Sequence, residues 1–338
     1  MEKKHLIFSA GLAAVIILAA IVAAGVIPRQ PATPAVYIVY GSEKGDLSYT
    51  DAAYQGLAAA QKDRSIAIRE FVPRDYETLP AILNSTAGSE RPGLIITVGF
   101  QYANFTRDLA KQYPDIQFLA IDQSGIGSDN LKAYGITSYG DSYLAGVLAA
   151  SASKTGRVGI IPGMQSDVLN AFLQGYTDGA RSVNSSITVD HAWVRQYSTD
   201  GFTDPDEAGR IAEGMYRNGT DVIFTCAGYS NMGAFDAADT TAGRYIIGTD
   251  RDQSPSGPGF VLASAVKRVD RVVYTGIEEH LNGSFTGGNT VAGLNAGVTG
   301  IVYNPRFAFW NETVRAWEET AEAGEEKYLE SRAMTVQK

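Results

Sequence analysis

The run Gly93-Leu94-Ile95-Ile96-Thr97-Val98-Gly99-Phe100 is followed, after a polar interval with helical patterning, by Phe118-Leu119-Ala120-Ile121-Asp122-Gln123. Much later the chain repeats the statement. Asp221-Val222-Ile223-Phe224-Thr225-Cys226-Ala227-Gly228 leads through a similar interval to Tyr245-Ile246-Ile247-Gly248-Thr249-Asp250. Each copy is a short β-branched run closing on Gly, a helix, and a second apolar run closing on Asp. From Gly99 to Asp122 is 23 residues, and from Gly228 to Asp250 is 22. Short strands that are apolar on both faces and joined by helices mark a parallel sheet covered on both sides. Two copies predict two such sheets, hence two α/β lobes. Ligands of open parallel sheets bind beyond the carboxyl ends of the strands, where both Gly and both Asp residues fall. The expected binding place is therefore a cleft between the lobes.

Working outward, the alternation of strand and helix continues on both sides of each copy. Residues 36–40 form a strand closing on Gly41, residues 50–62 a helix, 66–71 a strand and 77–83 a helix. Residues 134–137 read as a crossing segment and 142–153 as a helix of small residues able to pack tightly. Residues 158–163 open the second lobe as 36–41 open the first. Helices are expected over 170–184, 206–218 and 270–281, strands over 187–194 and 261–267, and an extended, Gly-spaced third crossing over 291–303. Residues 305–331 end in a charged helix. This pattern is parallel α/β, and it divides the chain into a first lobe of residues 36–136 plus about 263–288 and a second of 137–262 plus about 289–335.

The N-terminus adds a different element. Met1-Glu2-Lys3-Lys4-His5 precedes an uncharged run over residues 6–27, long enough to cross the ~30 Å core of a bilayer as a helix. It is a membrane anchor or a signal segment. Signal cores usually span about 7–15 residues, which favours the anchor, while Ala23, Ala24 and Gly25 leave cleavage open. Under either reading Lys3 and Lys4 stay in the cytoplasm and the remainder is exported. No cysteine follows the run, so lipid modification of an N-terminal cysteine is excluded. Residues 28–35, with three prolines, form a stiff linker. The single cysteine, Cys226, permits no disulfide within the chain and reads as a small buried hydrophobe. Asn-x-Ser/Thr sequons begin at Asn84, Asn104, Asn184, Asn218, Asn282 and Asn311.

Composition narrows the chemistry. A net charge of −9 with no basic patch argues against nucleic acid. Gly41-Ser42-Glu43-Lys44-Gly45-Asp46 lacks the Gly-Lys-Ser/Thr of a phosphate loop and the spacing of a dinucleotide fingerprint. His5, His191 and His280 are scattered without metal-ligand spacing. No nucleophile elbow or acid–base pair stands out, so nothing calls for an enzyme, a metal or a cofactor. What remains is aromatics and carboxylates at strand ends. Tyr49, Phe100 and Phe202 could stack a flat ligand, Asp122 and Asp250 could accept hydrogen bonds from its hydroxyls, and Lys267 could pair with Asp250 or donate to a hydroxyl. Hydrogen bonds to charged groups contribute about 1.5–3 kcal/mol each. Each residue also has an ordinary structural reading: an aromatic packing on a lobe edge, an Asp capping a helix.

As an ordered set, these motifs resemble the basic membrane protein family of substrate-binding proteins. Gly45-Asp46-Leu47-Ser48-Tyr49 followed by Tyr54-Gln55-Gly56 is similar to that family's opening D-x-S-F-N-Q…Y-x-G. Val98-Gly99-Phe100, Tyr113-Pro114-Asp115 through Phe118 to Asp122, Ser142 through Ala149, Lys154 through Gly159, Ala227-Gly228, Ile247-Gly248-Thr249-Asp250 and Ser264-Ala265-Val266-Lys267 extend the resemblance over residues 36–303. It implies a type I periplasmic-binding-protein fold and a role as the binding component of an ABC importer, with permease subunits as partners. It also implies a purine-nucleoside ligand. By the same resemblance Tyr49 and Phe202 sandwich the base, Asp250 and Lys267 hold ribose hydroxyls, and Asp122 faces a polar edge of base or sugar. Ser48, Gly99, Phe100 and Gly228 line the site. Asp46 and Asp51 complete the candidate ligand-binding set; the chain departs from the family where Thr50-Asp51 replace Asn-Gln, which changes the donors and acceptors offered to a base. The alternatives are a ligand-sensing receptor domain of the same fold and a different polar ligand such as a sugar.

Overall fold

The fold was analysed in a computed structural model that describes residues 33–86, 91–240 and 242–336. The uncharged run at 6–27 and most of the linker at 28–35 lie outside the described residues. Among those described, no helix is long and apolar enough to cross a membrane.

The chain builds β1 Ala35–Val39, α1 Tyr49–Asp63, β2 Ala67–Phe71, α2 Leu79–Ser85, β3 Leu94–Val98, α3 Ala103–Gln112, β4 Gln117–Ile121 and β5 Leu131–Ile136. It then builds α4 Tyr139–Ala152, β6 Arg157–Pro162, α5 Asp167–Val183, β7 Thr188–His191, α6 Pro205–Arg217, β8 Val222–Cys226, α7 Asn231–Asp239, β9 Tyr245–Asp250 and β10 Val261–Lys267. The last elements are α8 Val269–Leu281, β11 Gly288–Ala292, β12 Thr299–Tyr303, α9 Asn311–Arg315 and α10 Glu318–Val336. They form two six-stranded sheets, in the orders β11-β5-β4-β3-β1-β2 and β12-β10-β9-β8-β6-β7. All pairings are parallel except that of β12 with β10. The two copies of the repeat occupy the same place in each sheet. Leu94–Val98 pairs with Gln117–Ile121, and Val222–Phe224 with Tyr245–Ile247. Continuous apolarity has the expected consequence: β1, β3 and β8 are buried along their whole length, and each sheet carries an apolar core on both faces.

The structure moves three sequence expectations. Residues 131–136, read in part as a crossing, form a central strand between β4 and β11. Its core-facing residues alternate with Lys132 and Tyr134, which hid it from an apolar-run criterion. The return to the first lobe, expected at about residue 263, comes after Lys267, because β10 pairs with β9 in the second sheet. Residues 288–292, placed at the join with the second lobe, pair with β5 in the first sheet. The chain therefore passes between sheets at 137–138, at 268 and at 293–298. Glu325 on α10 ties two of these passages together. Its two oxygens accept the Gly140 and Leu294 N–H groups, each at 2.9 Å.

The small-residue helix packs as its composition predicts. A Cβ at Gly179 of α5 would lie 1.9 Å from the Tyr143 carbonyl oxygen of α4, so the two backbones touch. That contact fixes α5, whose N-terminal turn forms one wall of the cleft.

Candidate functional site

Both Gly-Asp pairs of the repeat turn the chain sharply at the strand ends. Gly99 and Gly228 have φ of +124° and +58°, and Asp122 and Asp250 have φ of +60° and +66°. A non-glycine residue held in the left-handed region costs on the order of 1–3 kcal/mol and persists only where its surroundings over-determine it. Leu47 is the only other described non-glycine residue in this state. Asp122 and Asp250 line one cavity of about 300 Å³ between the lobes, a size at the small end of the range for small-molecule sites, and Leu47 follows Asp46 on its wall.

Aromatic side chains from both lobes form the cavity walls. Tyr49 and Phe100 come from the first lobe, Phe172 and Phe202 from the second. Phe100 meets Phe202 edge to face across the opening, with centroids 6.4 Å apart. The inner end is charged. Lys267 Nζ donates to Asp122 Oδ2 at 2.6 Å, with both side chains almost wholly buried. Lys267 also lies 5.3 Å from the Tyr49 ring centre and 5.7 Å from that of Phe172, so the ammonium is held over two aromatic rings. The expected pairing of Lys267 with Asp250 is thus replaced by one with Asp122, on the opposite lobe. Asp250 instead accepts the Ser48 hydroxyl at 2.5 Å, again across the lobes.

Electrostatics follow from this burial. The Asp250 carboxyl is pushed up to about 6, chiefly by burial, with Lys267 and the Ser48 hydroxyl acting in the opposite direction. The Tyr49 phenol is pushed well above its ordinary value by burial and then by the Asp122 charge. Asp122 is also near enough to act on the phenol as an acceptor, though no hydrogen bond of ordinary geometry joins them. The Tyr49 hydroxyl and Asp122 Oδ1 are both buried without a partner, so one donor and one acceptor stand ready at the inner end.

The remaining expected residues divide. Gly99, Phe100, Asp122, Phe202, Gly228, Asp250 and Lys267 line the cavity, as do Tyr49 and Asp46. Asp46, though on the wall, has both oxygens occupied: they accept the Ser48, Thr50 and Asp51 N–H groups at 2.9, 2.9 and 3.1 Å and the Ser42 hydroxyl at 3.1 Å. It caps α1 because Ser48, at the N-cap position, has given its hydroxyl to Asp250. Ser48 and Asp51 lie behind the wall. Asp51 accepts the Gly45 and Leu47 N–H groups at 2.8 and 3.1 Å and an Arg251 N–H at 3.4 Å. The departure at Thr50-Asp51 therefore changes the loop and its attachment to the other lobe, and offers nothing directly to a base.

Sequence reasoning missed the part of the second lobe's wall that α5 supplies. Val168, Leu169 and Phe172 on α5 line the cavity opposite Tyr49, as do Cys226 and Thr249. The internal repeat held the signal: loop 163–167 and the start of α5 correspond to loop 41–48 and the start of α1, so the first turns of both helices were due at the cleft. Gly163 makes room for Phe202, since a Cβ there would lie 2.5 Å from its ring.

With the geometry in place, comparison with known proteins gives it a family. Residues 34–328 match the family described as ABC transporter substrate-binding protein PnrA-like. The chain is 29% identical over 283 residues to Basic membrane protein A1 of Borrelia garinii subsp. bavariensis, covering 81% of each. It is 32% identical to the ABC transporter nucleoside-binding protein BmpA of Lactococcus lactis subsp. cremoris, covering 73% of this chain and 74% of that one. Among solved structures, an ABC transporter solute-binding protein from Aeropyrum pernix superposes with a TM-score of 0.73 at 25% identity, over 87% of this chain and 86% of the other. The chain belongs to the PnrA-like family of ABC transporter substrate-binding proteins.

Proposed function

We propose that this chain captures a nucleoside, purine by preference, in the interlobe cleft outside the cytoplasm and delivers it to the permease of an ABC importer, acting by binding and not by catalysis. The observation that carries the reading is the pairing of aromatic walls from both lobes with a charged inner end in one cavity. A nucleoside is flat and π-rich at one end and carries hydroxyls at the other. Tyr49 and Phe202 would stack the base, at about 1–3 kcal/mol per stacked base. Asp250, Lys267 and the unpartnered Asp122 oxygen would meet ribose hydroxyls or a polar base edge. The Lactococcus relative, named as a nucleoside-binding protein, supports the same ligand class. Contacts from both lobes would favour the closed arrangement, the form a permease recognises. In this reading the uncharged run at residues 6–27 anchors or exports the chain.

Isothermal titration with adenosine, guanosine and inosine, and with galactose as a sugar control, tests the ligand class. Saturable binding of at least one purine nucleoside is expected. Absence of nucleoside binding below millimolar concentration refutes the nucleoside reading, and binding of galactose alone would replace it.

A further inference from the structure

Gln253 lies three residues beyond Asp250, is 2% exposed, and does not line the cavity. Its side chain is fixed by its own lobe. Oε1 accepts the Thr249 N–H at 2.9 Å and an Asn231 Nδ2–H at 3.3 Å, while its backbone N–H donates to Ser264 Oγ at 3.0 Å. With the oxygen so assigned, Nε2 points across the lobe boundary and donates to the Leu47 carbonyl at 3.1 Å. Leu47 has φ of +53° and directly precedes Ser48 and Tyr49. Asn231 extends the chain of bonds backwards, its Oδ1 accepting the Ala227 N–H at 2.9 Å beside Gly228.

One buried amide thus joins three cleft-forming loops: residues 227–228 and 249–250 of the second lobe and 47–49 of the first. A buried amide bonded through both its oxygen and its nitrogen is held rigidly, and removing one partner leaves the other unsatisfied. The bond to Leu47 spans the lobe boundary, and neither Leu47 nor Gln253 lines the cavity.

We propose that Gln253 is a positioning residue for ligand capture, an amide that locks the Leu47–Tyr49 loop to the opposite lobe and slows ligand release by the same factor whatever base the ligand carries. The inference rests on the interlobe cavity being the ligand site. Residues that touch a base would discriminate between bases; Gln253 would not.

The test uses the full chain in detergent and stopped-flow release of inosine and adenosine. Gln253→Leu should speed release of both by the same factor, about three- to tenfold for the lost bond between the lobes, with association changed less; the Thr249 and Asn231 bonds it also removes lie within one lobe. Gln253→Glu keeps an oxygen for the Thr249 N–H. Protonated, its carboxyl can still donate to the Leu47 carbonyl; ionised, it cannot. Its release rate relative to the unsubstituted chain should be near unity at pH 5 and rise towards pH 9 as the carboxyl ionises and loses its donor to Leu47. Equal release rates in a folded Gln253→Leu, or a pH-independent ratio for Gln253→Glu, would overturn the proposal. Hydrogen exchange over residues 43–51 without ligand decides it separately. Faster exchange in Gln253→Leu supports the tie and unchanged protection refutes it, whereas failure of the unsubstituted chain to bind either nucleoside counts only against the nucleoside reading.

Discussion

Asp250→Asn should make the protein more stable at neutral pH while weakening its ligand site. The substitution is isosteric, and Asn is among the residues that tolerate the left-handed φ of +66° found here. Its amide oxygen can still accept the Ser48 hydroxyl. What disappears is a buried charge. The carboxyl is moved from 3.8 to about 6 in the folded protein, with Lys267 already included among the opposing influences. A raised carboxyl holds its proton more tightly folded than unfolded, so the folded state loses stability as pH rises from about 4 to 6 and gains none back above that. At about 1.36 kcal/mol per pH unit, the loss is about 3 kcal/mol. The Asn variant does not suffer it. The stability difference, variant minus unsubstituted, should therefore grow by about 2–3 kcal/mol between pH 4 and pH 8. Urea unfolding followed by tryptophan fluorescence is the suited assay. Trp193, Trp310 and Trp317, the three tryptophans of the chain, all pack on the core of the second lobe, which carries Asp250. A stability gap that stays constant with pH, or a variant less stable at pH 8 than at pH 4 relative to the unsubstituted chain, refutes the argument.

Other substitutions probe different terms. Lys267→Met leaves Asp122 buried without its cation, so unfolding should cost about 3–5 kcal/mol less, and adding Asp122→Asn should restore much of that in a double-mutant urea series. Tyr49→Ala and Phe202→Ala should each weaken nucleoside binding roughly 5- to 150-fold by titration calorimetry, while the thermal midpoint moves little for Phe202→Ala. Gly179→Ala should lower the thermal midpoint, since its methyl would overlap the Tyr143 carbonyl and force α4 and α5 apart at about 1–3 kcal/mol.

Much of the architecture was legible because it is written locally. Val222–Cys226 and Leu94–Val98 are apolar at every position but one, a buried threonine in each, and only a strand covered on both faces can use such a run. The weaker strands were not legible for the converse reason. The edge strand Gly288–Ala292 exposes its three central residues, and β5 alternates polar with apolar, so neither yields an apolar run. In the site, the positions of Gly99, Asp122, Gly228 and Asp250 followed from the repeat, while Tyr49 was placed by the loop that follows the first strand and by the family resemblance. Asp46 and Asp51 carry the same side chain as Asp122, yet one caps a helix and the other braces a loop. Nothing in residue type separates these uses, since a carboxylate accepts backbone N–H groups as readily as a ligand hydroxyl.

The sequence by itself therefore determined two parallel α/β lobes, a cleft at their strand ends, and a family in which such clefts bind solutes. Those properties depend on residues within a strand or one turn of it, where hydrophobic periodicity and glycine placement act directly. Tertiary structure alone decided who meets whom across the cleft: Lys267 with Asp122, Ser48 with Asp250, and Gln253 with Leu47. The partners stand 145, 202 and 206 positions apart, and each distance depends on how the two lobes are set against one another. Coulomb attraction and hydrogen bonding act over a few ångströms, so the pairing follows from that arrangement and from no local feature of the chain.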